Sequence, residues 1–523
     1  MGAYLNPPNK GFRETLNSEI YVDKTGMIAY TNKKVNTEQK YICVSRPRRF
    51  GKSIAAKMLA AYYSRDCDSR ELFLHLQIAK DATYEKYLNQ YDVLFLNMQK
   101  FLSRKGDVEE MLVFLKKSLL WDLLKVYPDY DYFDKSDLLR TIQDIYQETE
   151  KPFILIIDEW DCIFREYKED KQTQEKYLDF LRDFMKDNDA IALAYMTGIL
   201  PIKKYGTHSA LNMFDEFSMT NPRQLAAYVG FTQDEVMELC ERYQMDFYET
   251  KRWYDGYQFV GVPPIYSPRS IVTAMLSGTF DDYWNQTESF EALRIYIEIN
   301  FDGLKDTVVA LLAGERKKIN TGKFTNDMTT FIDCDDVLTL LVHLGYLGYD
   351  FETEEAFIPN KEITDEYVNA IEGAGWNEVI DAITASDALL KATWNQEEDT
   401  IAAGVCSAHL NTSHLTYSDE NALSYTVSLA YYSARQYYTI IRELPTGKGF
   451  ADLVFLPRKT HMDKPAMIVE LKWDKSAEGA ISQIKEKQYV DALRDYKGNL
   501  LLVGINYSKE SRKHECLMEN YTM

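Results

Sequence analysis

The sequence predicts an α/β protein in which two α/β units flank a mostly helical middle region. In residues 1–215, and again in residues 401–523, short uninterrupted apolar runs alternate with charged stretches that have helical spacing. Such runs are typical of strands buried on both faces of a sheet that helices cover. Residues 216–400 show mainly helical patterns, and a chain of 523 residues agrees with about three domains. We therefore predict domains at 1–215, 216–400 and 401–523.

The composition limits the classes of protein that remain. The chain has 60 Lys and Arg against 81 Asp and Glu, a net charge of −21, so any nucleic acid would have to bind at a local basic patch. A hydrophobic content of 46% is enough for large cores and excludes a mostly disordered chain. The apolar runs are far shorter than the ~20 residues that cross a bilayer. There is no signal-peptide pattern, and the cysteines lack metal-site spacing. We expect a cytoplasmic protein without membrane contacts.

The first unit contains a sequence suited to holding a triphosphate. A predicted strand at residues 41–44 leads into Ser45-Arg46-Pro47-Arg48-Arg49-Phe50-Gly51-Lys52-Ser53, and a predicted helix follows at residues 54–63. Backbone N–H groups of such a loop and helix start face the phosphates. Lys52 would reach the β and γ oxygens, and Ser53 would hold Mg²⁺. We therefore predict that the loop from Arg46 to Ser53 binds the nucleotide.

This loop departs from the usual pattern at one position. The pattern G-x-x-x-x-G-K-[ST] has glycine where this chain has Arg46. That glycine helps the loop to turn tightly, so we expect either a variant loop shape or a weaker site. Arg48 and Arg49 add positive charge, which favours an anion nearby.

A second motif supports the same site. Further strands are predicted at residues 93–97, 153–157 and 191–197, and the middle one runs directly into Asp158 and Glu159. In this Walker B form, Asp158 would contact Mg²⁺ through water and Glu159 would polarise the attacking water. Thr197, at the end of the next strand, would sense the γ-phosphate. Either the phosphate-loop motif or the Walker B motif alone can occur by chance. Both motifs in the correct order, one after a strand and before a helix and the other at a strand end, are much harder to explain in that way. The residues therefore predict an ATP site with Mg²⁺ and hydrolysis.

The last unit contains two carboxylates and a lysine that strand geometry brings together. Predicted strands at residues 450–456 and 466–472 carry Asp452 on the first and Glu470 and Lys472 on the second. Every second strand residue faces the same side, and a short hairpin connection places Asp452 beside them. Asp452 and Glu470 would hold Mg²⁺, while Lys472 would orient water or stabilise the transition state of phosphodiester cleavage. The alternative is an ordinary hairpin with exposed charges, because Glu-x-Lys is common on strands.

Four other residues are weaker candidates at this second site. Glu420 or Glu443 would add a further metal ligand. Gln483 and Lys487 lie one turn apart on the predicted helix that follows, so they would lie over the site.

Together the motifs resemble a bacterial group of AAA-ATPase-like proteins that end in a PD-(D/E)xK nuclease-superfamily domain. The resemblance covers about residues 5–300 and 415–510. It implies a P-loop NTPase fold that uses ATP and Mg²⁺, and a restriction-endonuclease-like core with Asp452 and Glu470 as metal ligands and Lys472 as the motif lysine. AAA-type proteins form rings, so a homo-oligomer is expected. The segments that carry the resemblance are Tyr21-Val22-Asp23-Lys24-Thr25, Ser45 to Ser53, Ile157-Asp158-Glu159, Thr197-Gly198, Pro445 to Asp452 and Val469-Glu470-Leu471-Lys472-Trp473.

Three functions compete at this point. The first is an ATP-regulated nuclease that acts on nucleic acid, DNA rather than RNA, in defence against foreign DNA. The second is an ATPase switch whose C-terminal domain does not cleave but binds nucleic acid or a protein partner. The third is a degenerate interaction protein, which the intact motif residues of both sites argue against.

Overall fold

The computed structural model describes residues 2–202, 211–284, 289–299, 301–325, 328–329, 331–411, 420–446, 449–458, 461–493 and 498–521. None of the helices in these ranges has the length and apolar character needed to cross a bilayer. The α-helices are α1 (Lys10–Leu16), α2 (Gly26–Asn32), α3 (Lys52–Tyr63), α4 (Arg70–Phe73), α5 (Tyr84–Tyr87), α6 (Met98–Lys105), α7 (Val108–Val126), α8 (Leu138–Thr149), α9 (Cys162–Glu166), α10 (Lys171–Met185), α11 (Gln233–Tyr243), α12 (Phe247–Tyr254), α13 (Pro268–Ser277), α14 (Ser289–Ile299), α15 (Leu304–Leu312), α16 (Cys334–Leu344), α17 (Lys361–Gly373), α18 (Asn377–Trp394), α19 (Glu398–Asn411), α20 (Glu420–Ala430) and α21 (Ala477–Glu486).

The strands fall into four sheets. Two sheets have five strands, in the orders β2-β3-β4-β1-β5 and β12-β13-β14-β15-β16, and two have three, in the orders β6-β8-β7 and β10-β11-β9. The strands are β1 (Tyr41–Ser45), β2 (Asp92–Asn97), β3 (Phe153–Asp158), β4 (Ile191–Gly198), β5 (Asp215–Phe217), β6 (Phe231–Thr232), β7 (Tyr257–Phe259), β8 (Val262–Tyr266), β9 (Lys317–Lys318), β10 (Gly348–Asp350), β11 (Glu355–Phe357), β12 (Tyr438–Thr446), β13 (Gly449–Pro457), β14 (Ala466–Trp473), β15 (Leu500–Ser508) and β16 (Lys513–Tyr521).

The chain divides into two compact units that cut across the predicted middle region. The first unit comprises residues 1–288 and 317–365, and the second comprises residues 289–316 and 366–523. Most of the stretch predicted as a separate helical domain at 216–400 therefore packs with the first unit, and the rest packs with the second. The sequence pattern did not reveal this division, because helical spacing identifies a buried face but not the segment that covers it.

The first unit is built on a parallel sheet, as predicted. Each neighbouring pair in the order β2-β3-β4-β1-β5 is parallel, and β1, β3 and β4 are buried along their whole length. The register pairs Asn97 with Asp158, and Asp158 with Thr197. Ser45 pairs with Gly198. The carboxyl ends of four strands therefore meet at one edge of the sheet, which is where α/β sheets carry their ligand sites.

In the remaining part of the first unit, two helices begin or end at recognisable capping residues. Thr232 and Glu235 form a reciprocal capping box at the start of α11. Helix α16 ends at Gly345, which has the left-handed φ of 90° that glycine tolerates. However, the region is not simply helical, because the short strands β6 to β11 form two small sheets there. Strands of two to five residues are too short to show a periodic pattern.

The sequence predicted no role for the segment Asp23-Lys24-Thr25. In the structure, it makes hydrogen bonds to distant parts of the first unit. Asp23 accepts hydrogen bonds from Thr25 and, at 2.6 Å, from the backbone N–H of Gln77. Lys24 Nζ donates to the Ala227 carbonyl oxygen at 2.8 Å and to Glu235 at 2.5 Å. Burial lowers the pKa of Lys24, and Glu235 opposes that shift. This motif is therefore accounted for by folding contacts.

The second unit is a mixed sheet with an apolar core on each face. The pairs along β12-β13-β14-β15-β16 are antiparallel except for β14 and β15, which are parallel. One core contains Val469 and residues of α18, α19 and α20, and the other contains Ile468 and residues of α21. Glu470 and Lys472 share a strand parity with Ile468, so they lie on the α21 face. Strand β16 was not predicted because its mixed polar sequence lacks an apolar run.

Candidate functional sites

The loop between β1 and α3 turns at two residues with left-handed backbone. Gly51 has a φ of 92° and caps α3, and nothing lies within 4 Å of the position of an added Cβ. Arg49 has a φ of 69°, which costs a non-glycine residue about 1 kcal/mol or more. The loop therefore turns tightly without the glycine that the usual pattern has at position 46.

Lys52 lies at the centre of the first site. It is only 4% exposed, and its Nζ donates to the carbonyl oxygen of Pro47 at 2.8 Å. Burial lowers its pKa, while the negative charges of Glu159, Asp161 and Asp158 oppose that shift. Burial therefore acts against the positive charge of Lys52, and three carboxylates act in its favour.

Two loop residues, Arg46 and Pro47, make hydrogen bonds within the protein itself. The Arg46 side chain is fully buried, and its Nη1 donates to the carbonyl oxygens of Ser45 at 2.8 Å and Phe217 at 3.0 Å. Its guanidinium is therefore engaged by the protein rather than placed as a phosphate ligand. Pro47 has no N–H to offer a phosphate, and its carbonyl oxygen instead positions Lys52. Arg48 is half-buried.

Asp158 and Ser53 are placed together as the sequence predicted. Burial raises the pKa of Asp158, and hydrogen bonding to Ser53, the charge of Lys52 and hydrogen bonding to Asn97 oppose that rise. Asn97 Nδ2 donates to Asp158 Oδ2 at 3.0 Å. Thr197 lies beside Asp158 in the register, and its hydroxyl has no hydrogen-bond partner among the residues that the structure describes. The hydroxyls and carboxylate form an oxygen-rich donor set that suits Mg²⁺.

Glu159 is held by an arginine that the sequence analysis did not identify. Its backbone is left-handed, with a φ of 57°, and its Oε2 accepts from Arg165 Nη2 at 2.5 Å. Arg165 also pairs with Asp161 at 3.3 Å. Burial raises the pKa of Glu159, whereas Lys52 and Arg165 lower it. Arg165 is in the last turn of the short helix α9 that follows the motif, a place where the sequence offers no distinguishing pattern.

Another positive charge lies close to the loop. Burial lowers the pKa of Arg49, and the charge of Arg269 lowers it further. Arg269 is an exposed residue in the first turn of α13, more than 200 residues further along the chain. Only the folded chain brings Arg49 and Arg269 together, so no local signal predicted this neighbour.

The second site unites Asp452, Glu470 and Lys472. Asp452 Oδ2 accepts from the backbone N–H of Leu471 at 2.7 Å, so its carboxylate is held against the strand that carries the other two. Lys472 Nζ donates to Glu470 Oε1 at 2.8 Å. Both Glu470 and Lys472 are buried. The predicted convergence of two carboxylates and a lysine is therefore present.

Glu470 has an unusual proton affinity for a glutamate. Burial, and then the negative charge of Asp452, raise its pKa to about 7, and Lys472 opposes the rise. Its Oε2 is buried and makes no hydrogen bond within the described part of the chain. A buried carboxylate oxygen beside a second carboxylate is a fitting ligand for Mg²⁺, whose charge would favour the ionised form.

Two residues of the following segment complete the surroundings of Glu470. Gln483 Nε2 donates to Glu470 Oε1, as well as to the Tyr489 hydroxyl at 3.1 Å. Burial raises the pKa of Tyr489, and the charges of Glu470 and Asp452 add to the rise. Gln483 was anticipated over the site, whereas Tyr489 was missed. Lys487 is exposed and makes no contact that places it there.

The proposed additional ligands fare differently. Glu443 is exposed, has a φ of 47°, and lies between Arg442 and Leu444, which pair with Leu453 and Ala451. That register places Glu443 across from Asp452. The side chain of Glu420, like the turn residues Gly447 and Lys448, lies outside the described residues.

Among described His, Cys, Asp and Glu residues, no group of three or more is arranged to hold a metal ion. A metal here would therefore rely on few protein ligands, as Mg²⁺ often does with phosphate and water.

Comparison with known protein families gives one match in each part of the chain. Residues 11–207 match the family described as predicted AAA-ATPase. Residues 419–516 match the PD-(D/E)XK nuclease superfamily. The first match includes Lys52, Asp158 and Glu159, and the second includes Asp452 and Glu470.

Individual relatives are distant. An uncharacterized protein in the vnfD 5′ region of Azotobacter chroococcum mcd 1 is 23% identical over 278 residues, covering 51% of this chain and 50% of the relative. The chain thus spans about half the length of the curated relative it matches. The structure of the Aeropyrum pernix ORC2 protein, in ADPNP–ADP complexes, is 9% identical, with a TM-score of 0.27, and covers 68% of this chain and 97% of that one. A score this low supports no argument.

Proposed function

We propose that this chain, in which an AAA-ATPase-like domain precedes a PD-(D/E)XK nuclease-superfamily domain, binds and hydrolyses ATP and thereby controls Mg²⁺-dependent cleavage of nucleic acid. The observation that carries the cleavage half is the cluster of Asp452 with the buried Glu470 and Lys472, in which Glu470 keeps one oxygen without a hydrogen bond from any described residue. A carboxylate is costly to bury, so this arrangement is best explained by a cation that it binds.

In the first domain, each residue has a separate task. The loop amides around Gly51 and the ammonium of Lys52 bind the phosphates. Ser53 and Asp158 would hold Mg²⁺, which supplies neutralising charge to the phosphates when it is bound. Glu159 orients the attacking water and takes up its proton, and Thr197 donates its hydroxyl to the γ-phosphate. Arg165 keeps the Glu159 carboxylate in place.

In the second domain, Asp452 and Glu470 would hold Mg²⁺, which supplies charge neutralisation at the scissile phosphate when it is bound. Lys472 donates to the attacking water or to the phosphate oxygens, where negative charge grows in the transition state. Gln483 fixes the orientation of the Glu470 carboxylate through a hydrogen bond. We propose DNA as the polymer, defence against foreign DNA as the role, the cytoplasm as the location, and a homo-oligomer as the working form.

A second candidate is an ATPase switch whose C-terminal domain binds nucleic acid or a protein partner without cleaving it. The observation in its favour is that Lys472 is paired with Glu470, and no third acidic ligand joins Asp452 and Glu470 among the described residues. A site with so few ligands would hold a metal weakly unless substrate contributes oxygens.

One experiment separates the two candidates. The purified full chain is incubated with Mg²⁺ or Mn²⁺ and a panel of linear, circular and single-stranded DNA and of RNA, with and without ATP. Glu470→Ala is compared with Glu478→Ala, which removes an exposed carboxylate from the nearby helix α21. We expect cleavage by the wild type and by Glu478→Ala, and none by Glu470→Ala. ATP hydrolysis without cleavage under any condition would instead support the switch.

A further inference from the structure

Between Ser45 and Gly51, the side chains of the phosphate loop meet segments of the first unit that lie 170 to 300 residues further along the chain. Arg46 provides the first of these contacts. Besides its bond to the Phe217 carbonyl oxygen at 3.0 Å, its guanidinium lies 5.1 Å from the centre of the Phe259 ring. Its Nε and Nη2 have no hydrogen-bond partner in the described part of the chain, and burial lowers its pKa to about 10. Arg46 thus ties the start of the loop to β5 and β7.

Phe50, at the other end of the loop, packs against the same small sheet. It is fully buried, and its ring meets the edge of the Tyr257 ring at 5.2 Å. An added Cβ on Gly230 would lie 3.3 Å from Phe50. The Tyr257 hydroxyl in turn donates to the carbonyl oxygen of Gly345 at 2.6 Å. Phe50 therefore packs against the β6-β8-β7 sheet, and Tyr257 links that contact to the end of α16.

The middle of the loop contacts the same surroundings. An added Cβ on Gly345 would come within 2.8 Å of the Pro47 side chain and 2.9 Å of Trp284, so these three residues are in close packing. Arg49 Nη1 donates to the carbonyl oxygen of Tyr283 at 2.7 Å. Contacts from four residues of this short loop thus reach Phe217, residues 257–284 and Gly345, which we call the loop-facing region.

We propose that Arg46, Pro47, Arg49 and Phe50 are positioning residues, through which the loop-facing region sets the shape of the phosphate loop and so the affinity for ATP. The inference rests on the proposed ATP binding. It gives the loop-facing region, for which the sequence predicted no function, a role in shaping the phosphate loop. Phosphate binding requires several amides to point at one place, and small displacements of such donors are costly. In the usual loop, glycine allows the turn by itself, whereas here external contacts hold it.

The same contacts imply a coupling in the opposite direction. If the position of the loop-facing region changes ATP affinity, then ATP must change the stability of that region by the same free energy. Nucleotide binding would therefore protect residues 254–284 and the end of α16 against local opening. Loop contacts with a purely structural role would not transmit nucleotide binding to the loop-facing region. Protection of that region by ATP therefore distinguishes positioning residues from purely structural ones.

A double-mutant cycle tests the first direction. Phe50→Leu and Tyr257→Leu each remove one side of the ring contact, and aromatic pairs contribute about 0.5–1.5 kcal/mol. We expect each single variant to bind ATP roughly three- to tenfold more weakly, and the double variant to be no weaker than the worse single one. Arg242→Ala, on the exposed side of α11, serves as a control and should bind ATP like the wild type. Unchanged affinities, or losses that simply multiply, would overturn the proposal.

Hydrogen exchange tests whether ATP binding stabilises the loop-facing region. Because it is measured on the wild type as well, the proposal can still be refuted if a variant folds poorly. ATP should slow exchange in residues 254–284 of the wild type and of Arg242→Ala. At saturating ATP, Arg46→Met and Phe50→Leu should lose most of this slowing, even though they bind nucleotide. Equal slowing in all variants would show that the loop does not transmit binding. A wild type that binds no ATP at all would instead refute the proposed function, so the two failures are distinguishable.

Discussion

The two candidate sites use opposite solutions to the problem of gathering charged residues. The first lies at the edge of a parallel sheet, where the ends of four strands collect Asn97, Asp158, Thr197 and the phosphate loop from positions up to 150 residues apart. The second lies on the face of one strand pair, where Asp452 and Glu470 are separated by 18 positions and the half-buried Asp452 lies beside the buried Glu470. An edge collects residues from distant segments, whereas a strand pair buries neighbouring ones.

This difference appears in the proton affinities. At the sheet edge, Lys52, Ser53 and Asn97 all oppose the rise in the pKa of Asp158 that burial causes. On the strand face, Asp452 adds to the effect of burial, and the pKa of Glu470 reaches about 7. At the first site, burial raises the pKa of the carboxylate and several partners oppose the rise. At the second site, burial and a neighbouring carboxylate act in the same direction, and Lys472 opposes them.

The largest expected effect is on the rate of ATP hydrolysis when Glu159 is replaced. It tests whether the first site works through a carboxylate that accepts a proton. Glu159→Gln should lower the rate of ATP hydrolysis by about 10²–10⁴-fold, because a neutral amide cannot take up the proton of the attacking water. ATP binding should change little, since Lys52 and the loop amides remain. Steady-state hydrolysis together with calorimetric ATP binding measures both. Loss of binding with the turnover rate retained would mean that Glu159 holds the nucleotide rather than activates water.

The next effect concerns a buried carboxyl outside both sites. Burial raises the pKa of Glu362 to about 8, and Ser270 and the backbone N–H of Tyr283 both donate to it. The folded chain therefore binds this proton more tightly than the unfolded chain, so its stabilising contribution is full below about pH 4.5 and is lost as the pH rises through 8. Glu362→Gln should remove this loss, which is on the order of a few kcal/mol.

The measurement for Glu362 is a thermal unfolding series from pH 5 to pH 9. The fall in melting temperature on the alkaline side should be shallower for Glu362→Gln than for the wild type. Glu352→Gln, which changes an exposed carboxylate of the same unit, should follow the wild-type curve. Parallel curves for all three proteins would show that Glu362 titrates normally.

A smaller effect tests whether the two sites are independent. Lys52→Ala should weaken ATP binding by roughly 10- to 150-fold, because charge-assisted hydrogen bonds contribute about 1.5–3 kcal/mol. It should leave Mn²⁺ binding at Asp452 and Glu470 unchanged, since Lys52 belongs to the other unit. Calorimetry with each ligand checks this. Parallel losses of both ligands would mean that the variant is globally misfolded or that the sites share a structural element.

The smallest effect concerns the support of Asp158. Asn97→Ala removes the amide that donates to Asp158 Oδ2, so the pKa of this carboxylate should rise and Mg²⁺–ATP should bind a few-fold more weakly at neutral pH. The loss should shrink as the pH increases, because the carboxylate ionises again. Ser103→Ala on the exposed side of α6 is the matched control. A loss that does not depend on pH would assign Asn97 to packing alone.

Much of the fold could be predicted from local patterns. The strands β1 to β4 and β12 to β15 coincide with apolar runs, and α3, α7 and α16 coincide with helical spacing. Strands β5 and β16 were missed, because three residues form no pattern and a half-exposed edge strand has no apolar run. The two compact units interleave along the chain, and no local pattern indicates this, because the segments that pack together are far apart in the sequence.

The sequence by itself determined which residues are the candidates for the chemistry: Lys52, Asp158, Glu159, Asp452, Glu470 and Lys472 lie in motifs whose spacing depends only on strand and loop geometry. Only the tertiary structure decided what surrounds them. Arg46 and Pro47 looked like phosphate-loop residues, but their side chains and carbonyl oxygens are engaged by the protein itself. Local periodicity is set by neighbours along the chain, whereas burial, pKa and hydrogen-bond partners are set by segments that meet only when the chain has folded.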